Sequence, residues 1–112
     1  MTRPYAHERE HYRVVYPTAA RPWFIVGGVA REVVDLCEMG LRYRALAGEQ
    51  PRVGEEIRGL VRVRRGDAVE VAGAVVRLVE QQIALRLSTG IPLRIVLDEQ
   101  RYLREHHRGS AW

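Results

Sequence analysis

Apolar and polar positions alternate along most of the chain beyond residue 20, in short runs that glycine-containing turns separate. Residues 23–26 and 29–36 are two apolar-rich runs joined by Gly27 and Gly28, a pattern typical of a β-hairpin. Four more runs follow, so the pattern predicts six short strands. The four later strands are predicted over residues 41–44, 57–63, 69–79 and 83–87.

The hydrophobic period changes near residue 92. Leu93, Val96 and Leu103 recur with helical spacing, Ser88 or Thr89 could start a helix, and Gly109 could stop it. The sequence therefore predicts an amphipathic helix over about residues 92–108, with Pro92 near its first turn.

Six strands in so short a chain favour a closed sheet. We expect a mainly β fold, a six-stranded antiparallel β-barrel with a C-terminal helix that covers an open end or side of the barrel. Gly73 within the long strand predicts a bulge or a bend. The aromatic residues Trp23, Phe24 and Tyr43 lack the repeated spacing of a base-stacking platform and are assigned to the core or rim.

The first 20 residues differ from the rest. They are polar, contain Pro4 and Pro17, and show no periodicity before residues 14–16, which predicts a flexible arm. With 112 residues the chain forms one domain, in which residues 1–20 are the arm and residues 21–112 the barrel with its helix.

Charge and cysteine content bear on the kind of partner and on the cellular compartment. The net charge of +4 comes from arginine alone, since the chain has no lysine. Such a bias gives mild support for an anionic partner and little for nucleic acid. The single cysteine, Cys37, excludes an internal disulfide and fits a reducing compartment. No apolar run suits a secretory signal or a membrane span, so a cytoplasmic protein is predicted.

Two short motifs carry the candidate binding chemistry. Arg9 and Arg13 form an R-x-x-x-R pair on the predicted arm, and Asp35 opens an acidic turn that Gly40 closes. Guanidinium groups suit phosphates and the acceptor edge of guanine, whereas a carboxylate suits the N–H donors on its other edge. Each motif alone has an ordinary alternative, a solvated arginine pair on a tail or an Asx turn in a hairpin.

Together the motifs resemble the signature of the PilZ family of cyclic di-GMP receptors, R-x-x-x-R followed by [D/N]-x-S-x-x-G. With the helix that follows, the resemblance extends over about residues 9–108. It implies a PilZ-like split barrel, cyclic di-GMP as ligand without a further cofactor, and an arm that folds over the barrel when the ligand binds. The implied ligand-binding residues are Arg9, Arg13, Asp35, Cys37 and Gly40.

Two positions depart from the family pattern. Cys37 stands where the family usually has a serine that donates a hydrogen bond to the ligand, and a thiol is a much weaker donor. Losing one neutral hydrogen bond costs about 0.5–1.5 kcal/mol. Glu8 stands where many members carry another arginine, and its carboxylate would oppose phosphates. Both departures predict weaker binding.

The leading interpretation is a non-enzymatic receptor that binds cyclic di-GMP and signals through a partner protein. The first alternative is a PilZ-fold, pilus-related interaction module with weak or no nucleotide binding, and the second is a small nucleic-acid-binding barrel. Cys37 as a catalytic nucleophile would need a nearby histidine, but His7, His11, His106 and His107 all lie in terminal segments. No catalytic residue and no metal site are therefore predicted.

Overall fold

The computed structural model describes residues 12–63 and 66–106, which form seven strands and one helix. A 3-10 turn, Thr18–Ala20, follows the first strand. The strands are β1 (Val14–Val15), β2 (Trp23–Val26), β3 (Val29–Cys37), β4 (Gly40–Arg44), β5 (Glu56–Arg62), β6 (Ala68–Val79) and β7 (Gln82–Thr89), and the helix is α1 (Leu93–His106).

Strands β2 to β7 form a closed antiparallel barrel. They are hydrogen-bonded in the order β3, β2, β5, β6, β7 and β4, and β4 pairs again with β3. This confirms the predicted six-stranded antiparallel barrel with a C-terminal helix. Closure gives each of these six strands a partner on both sides over at least part of its length.

The extra strand β1 completes one edge of β3. Strand β2 pairs with β3 only as far as Glu32, and β1 continues on the same side, with Val14 opposite Leu36 and Val15 opposite Asp35. The backbone N–H of Tyr16 donates to the carbonyl of Val34 at 3.0 Å and extends this pairing.

Part of the predicted arm thus belongs to the folded domain. Val14, Tyr16 and Ala20 are buried with the barrel core. A strand of two residues is too short for its alternation to stand out in the sequence. The prediction of a flexible arm stays a prediction for residues 1–11, which lie outside the described ranges.

The core follows the alternation of the strands. Phe24 and Tyr43 are fully buried, with their ring centroids 4.8 Å apart, whereas Trp23 lies on the outer face. Valine, leucine and isoleucine side chains fill most of the remaining interior. Branched aliphatic side chains suit the pleated inner surface of such a barrel.

Helix α1 closes the structure over β1 and β3. Its buried side chains include Ile95, Val96 and Leu103, which belong to the barrel core. The helix begins after Pro92, whose carbonyl accepts hydrogen bonds from the N–H groups of Ile95 and Val96. Ser88 and Thr89, the predicted start, are instead the last residues of β7, because the strand pairing with β6 extends through Thr89. The predicted stop, Gly109, lies outside the described ranges.

Glycine marks only some of the turns and irregularities of the sheet. The irregularity predicted at Gly73 does fall there, but the extra residue is on β7: Ala72 pairs with Thr89 and Gly73 with Leu87, so two steps along β7 match one along β6. By contrast, the turn between β6 and β7 consists of Glu80 and Gln81, with φ values of 52° and 64°. Both residues occupy the left-handed region without being glycine, so this hairpin stores backbone strain.

Candidate ligand-binding site

A row of paired residues crosses the outer face of the barrel. Asp35 of β3 lies opposite Arg42 of β4, Arg42 opposite Ala84 of β7, and Ala84 opposite Arg77 of β6. Directly opposite residues in antiparallel strands project to the same face. A carboxylate and two guanidinium groups therefore share one strip of surface, with a small alanine between the arginines.

A β-bulge at Val34 places Asp35 on this outer face. Val33 pairs with Tyr43 and Asp35 with Arg42, so two steps along β3 match one step along β4. Val33 points into the core with Tyr43, and without the bulge Asp35 would point inward as well. Bulges commonly re-aim a side chain in this way.

Asp35 is held by two arginines. Its Oδ2 atom lies 3.0 Å from Nη2 of Arg42 and 3.4 Å from Nη2 of Arg13. Only 12% of the Asp35 side chain is exposed. The two guanidinium groups offset part of the cost of burying this side chain.

Cys37 and Gly40 lie beside Asp35 at the end of the same hairpin. They pair across the two-residue turn of Glu38 and Met39. A Cβ at Gly40 would lie 3.2 Å from the Cys37 Sγ atom, whereas the φ of Gly40 is outside the left-handed region. A side chain at this position would press on the Cys37 thiol, whereas the backbone conformation does not itself require glycine. Leu36 points into the core, so Cys37 projects to the outer face.

These side chains surround an open cavity of about 170 Å³. A second depression of about 110 Å³ adjoins it and shares Arg42, Arg77 and Ala84 with the first. The polar residues that line the first cavity are Arg13, Asp35, Cys37, Arg42 and Arg77, with Gly40, Leu41, Ala84 and Leu85 as the remaining lining.

The structure thus brings together four of the five predicted site residues. Arg13, Asp35, Cys37 and Gly40 line one cavity, while Arg9 lies outside the described ranges, as does Glu8. Sequence reasoning did not single out the other two arginines of the cavity, Arg42 and Arg77. The alternation in residues 41–44 could have placed Arg42 on the outer face, but not opposite Asp35.

A second charged cluster lies near the opposite end of β3 and has a structural role. Arg31 is buried, and its guanidinium donates to both carboxylate oxygens of Glu49 and to the carbonyls of Val26 and Val29. The hydrogen bonds from Arg31 lower the pKa of Glu49. Burial, reinforced by the negative charge of Glu49, raises the pKa of Tyr43 to about 12. This cluster fixes the loop after β4 to the hairpin of β2 and β3.

Two other classes of site find no support among residues 12–63 and 66–106. These ranges contain no group of three or more His, Cys, Asp or Glu side chains placed to hold a metal ion. Their one helix lacks the length and apolar character needed to cross a membrane. His106 stacks on Tyr102 at the end of α1, with ring centroids 4.1 Å apart.

Comparison with known proteins identifies a solved structure with a similar fold. No family model matches the chain, and no curated protein matches it by sequence. Among solved structures, the inhibitor of motility MotI/DgrA from Bacillus subtilis superposes with a TM-score of 0.65 at 14% identity over 86% of this chain. The fold is PilZ-like. At this identity the likeness concerns the fold alone, and the chain spans 51% of the length of MotI/DgrA.

Proposed function

We propose that this protein is a non-enzymatic receptor for cyclic di-GMP, which binds between the segment that carries Arg13 and the hairpin from Asp35 to Gly40. The observation that carries the proposal is the ion pair between Arg13 and Asp35 at 3.4 Å, beside Cys37 and Gly40 in one cavity. Two motifs separated by 22 residues in the sequence thereby become one site.

The charges of the site suit the two halves of a guanine nucleotide. The Asp35 carboxylate accepts hydrogen bonds from the N1 and N2 groups of guanine, and arginine donates to phosphate oxygens or to guanine O6 and N7. In the free protein, Arg13 and Arg42 satisfy Asp35. Binding then exchanges partners: the base takes over the carboxylate, and the released guanidinium groups turn to phosphate.

The size of the cavity defines how such a ligand lies. Sites that enclose drug-sized ligands measure about 300–1,000 Å³, whereas this cavity measures about 170 Å³. The dinucleotide therefore inserts one base edge beside Asp35 and extends over the surface. The row through Arg42 and Arg77 offers positive charge in that direction, toward the adjoining depression.

The output proposed for this receptor is a changed contact with a partner protein in the cytoplasm. The solved structure that shares the fold is named an inhibitor of motility, which supports a regulatory role exerted by binding. The partner would read the position of Arg13, which lines the cavity, is 44% exposed and accepts a hydrogen bond from Gln100 of α1 at its backbone carbonyl.

Calorimetric titration with cyclic di-GMP tests the proposal. The parent protein should bind, Arg13→Ala and Asp35→Ala should each bind about tenfold or more weakly, and Arg58→Ala should bind like the parent. Arg58 is a matched control because it also pairs with a carboxylate, Glu56 at 3.4 Å, but lies on β5 outside the cavity. Parent and Asp35→Ala proteins that bind equally well, or a parent that does not bind, would refute the assignment.

A PilZ-fold interaction module without useful nucleotide affinity is the second candidate. Two observations favour it: Cys37 replaces a hydroxyl donor at the cavity, and Asp35 is already neutralised by two arginines. A parallel titration with a random oligonucleotide at two salt concentrations tests the third interpretation, a small nucleic-acid-binding barrel, because charge-driven binding weakens as salt is added.

A further inference from the structure

The outer face of β2 carries a second organised surface, away from the cavity. In one cross-strand row, Arg62 of β5, Trp23 of β2 and Glu32 of β3 lie side by side. In the next row, Leu60, Ile25 and Ala30 do the same. We call these six residues the β2 face.

The β2 face exposes apolar groups that the fold does not use. Trp23 and Leu60 are 45% and 39% exposed, and Ile25 between them is partly exposed. Isolated exposed apolar residues need no explanation, but a contiguous apolar group rimmed by charge is typical of an interaction surface.

On the β2 face, Trp23 lies between two side chains of opposite charge. Arg62 lies on one side, and no ion pair joins it to any residue within 12–63 and 66–106. Glu32 lies on the other side and binds Arg21 through one oxygen at 3.0 Å, yet its side chain is 43% exposed. A carboxylate accepts several hydrogen bonds, so Glu32 retains capacity for a second cation.

We propose that the β2 face binds the β2 face of a second copy of this chain, around a two-fold axis parallel to β2. A rotation about that axis brings Arg62 of each copy opposite Glu32 of the other, which forms two intermolecular ion pairs. It also brings the two Trp23 side chains together. An isologous interface requires a surface complementary to itself in this way.

The shapes of the side chains agree with the same axis. Leu60, a large side chain, comes opposite Ala30, a small one. Trp23 stands between two depressions, one of about 350 Å³ that Arg62 also lines and one of about 190 Å³ that Glu32 also lines. The rotation places the first depression of each copy against the second of the other, so that a tryptophan ring enters the space beside its counterpart.

The β2 face is separate from the cavity around Asp35. It uses the beginning of β3, up to Glu32, whereas the cavity uses the end of that strand. A second copy therefore leaves the nucleotide site open, and this proposal does not depend on the proposed function.

Sedimentation equilibrium over a range of protein concentrations tests the proposal. The parent should show a monomer–dimer equilibrium that weakens with added salt, and Trp23→Ala should be monomeric over the same range. Arg62→Glu should weaken the dimer about tenfold or more, because both attractive pairs become repulsive. Arg94→Glu is the matched control, since Arg94 is an exposed arginine on α1; it should dimerise like the parent.

Mixing two charge variants provides the decisive measurement. Arg62→Glu alone presents only negative charge at these positions, and Glu32→Arg alone presents only positive charge, so neither pairs with itself. A mixture of the two should form a heterodimer of nearly parental affinity, detectable with one partner fluorescently labelled. If Glu32→Arg fails to fold after losing its bond to Arg21, Trp23→Ala and Arg62→Glu still decide the question. A monomeric parent, or dimerisation that survives Trp23→Ala and Arg62→Glu, overturns the proposal, as does exclusive binding of a different protein to this face.

Discussion

Arg42 Nη2 lies 3.0 Å from Asp35 Oδ2, closer than Nη2 of Arg13, the second arginine of the R-x-x-x-R motif, which lies 3.4 Å from the same atom. Arg42 projects from the middle of β4, where the strand register fixes it opposite Asp35. Arg13 is the residue immediately before β1, and its side chain is more exposed than that of Arg42. The free protein thus has one guanidinium that the sheet holds against Asp35 and one that can exchange more readily.

We expect Arg13→Ala to weaken cyclic di-GMP binding by about 1.5–3 kcal/mol, the usual value of a hydrogen bond to a charged group. The free energy of unfolding should change by less than about 1 kcal/mol, because a partly exposed ion pair contributes little. Titration calorimetry and thermal melting of the same samples measure both quantities. Arg13→Lys, which keeps the charge and loses the planar fork, should fall between parent and Arg13→Ala. Equal binding by all three proteins would contradict the role of Arg13.

Cys37→Ser should tighten cyclic di-GMP binding by about 0.5–1.5 kcal/mol, because it supplies a hydroxyl donor at the cavity. The stability of the free protein should hardly change, since Cys37 projects to the outer face and lines the cavity. Paired measurements of affinity and melting temperature check both statements. A clear fall in melting temperature without tighter binding would show that the thiol packs against the core after all.

The turn between β6 and β7 offers a test on stability alone. Replacing Glu80 by Asn and Gln81 by Gly gives the residue pair that left-handed two-residue turns prefer, and should raise the free energy of unfolding by about 1 kcal/mol. For a domain of this size that is a rise in melting temperature of about 4 °C. Gln81→Ala is the control: alanine meets the same penalty as glutamine at a φ of 64°, and no gain is expected. A gain of equal size in the control would place its origin elsewhere than in the backbone.

The pair of Arg31 and Glu49 makes stability depend on acid pH. Because Arg31 lowers the pKa of Glu49 in the folded protein, the carboxylate stabilises the fold fully above the pKa it has in the unfolded chain, near 4.5. This contribution is lost as the pH falls through the lower, folded value. Glu49→Gln should therefore be less stable than the parent at pH 7 by about 1–2 kcal/mol. The difference should shrink steadily below about pH 4, as urea unfolding across the pH range can show; a difference that does not change with pH would exclude the carboxylate charge as its source.

The strands and the helix of this fold were predictable because their apolar residues repeat with clear periods. Strand β1 was not, since two residues carry no period. The sequence motifs indicated Asp35 and Gly40 as site residues, but simple alternation from Glu32 would turn Asp35 into the barrel. Its outward position depends on the bulge at Val34, a consequence of pairing with β4 that the sequence of β3 does not show.

Arg42 and Arg77 illustrate a second limit. Each belongs to a different strand from Asp35, and only the order of strands in the closed barrel brings the three into one row. In a chain with 18 arginines and no lysine, composition gives no means of selecting these two. Their selection needs the register.

Arg13 is attached to two parts of the molecule at once. Its side chain bonds to Asp35 on the sheet, while its backbone carbonyl accepts a hydrogen bond of 3.4 Å from Nε2 of Gln100 on α1. If the proposed nucleotide draws Arg13 away from Asp35, its binding is thermodynamically linked to the seating of the helix through this one residue. By reciprocity, a protein that displaces α1 would then change the affinity for the nucleotide by the same factor as the nucleotide changes the affinity for that protein.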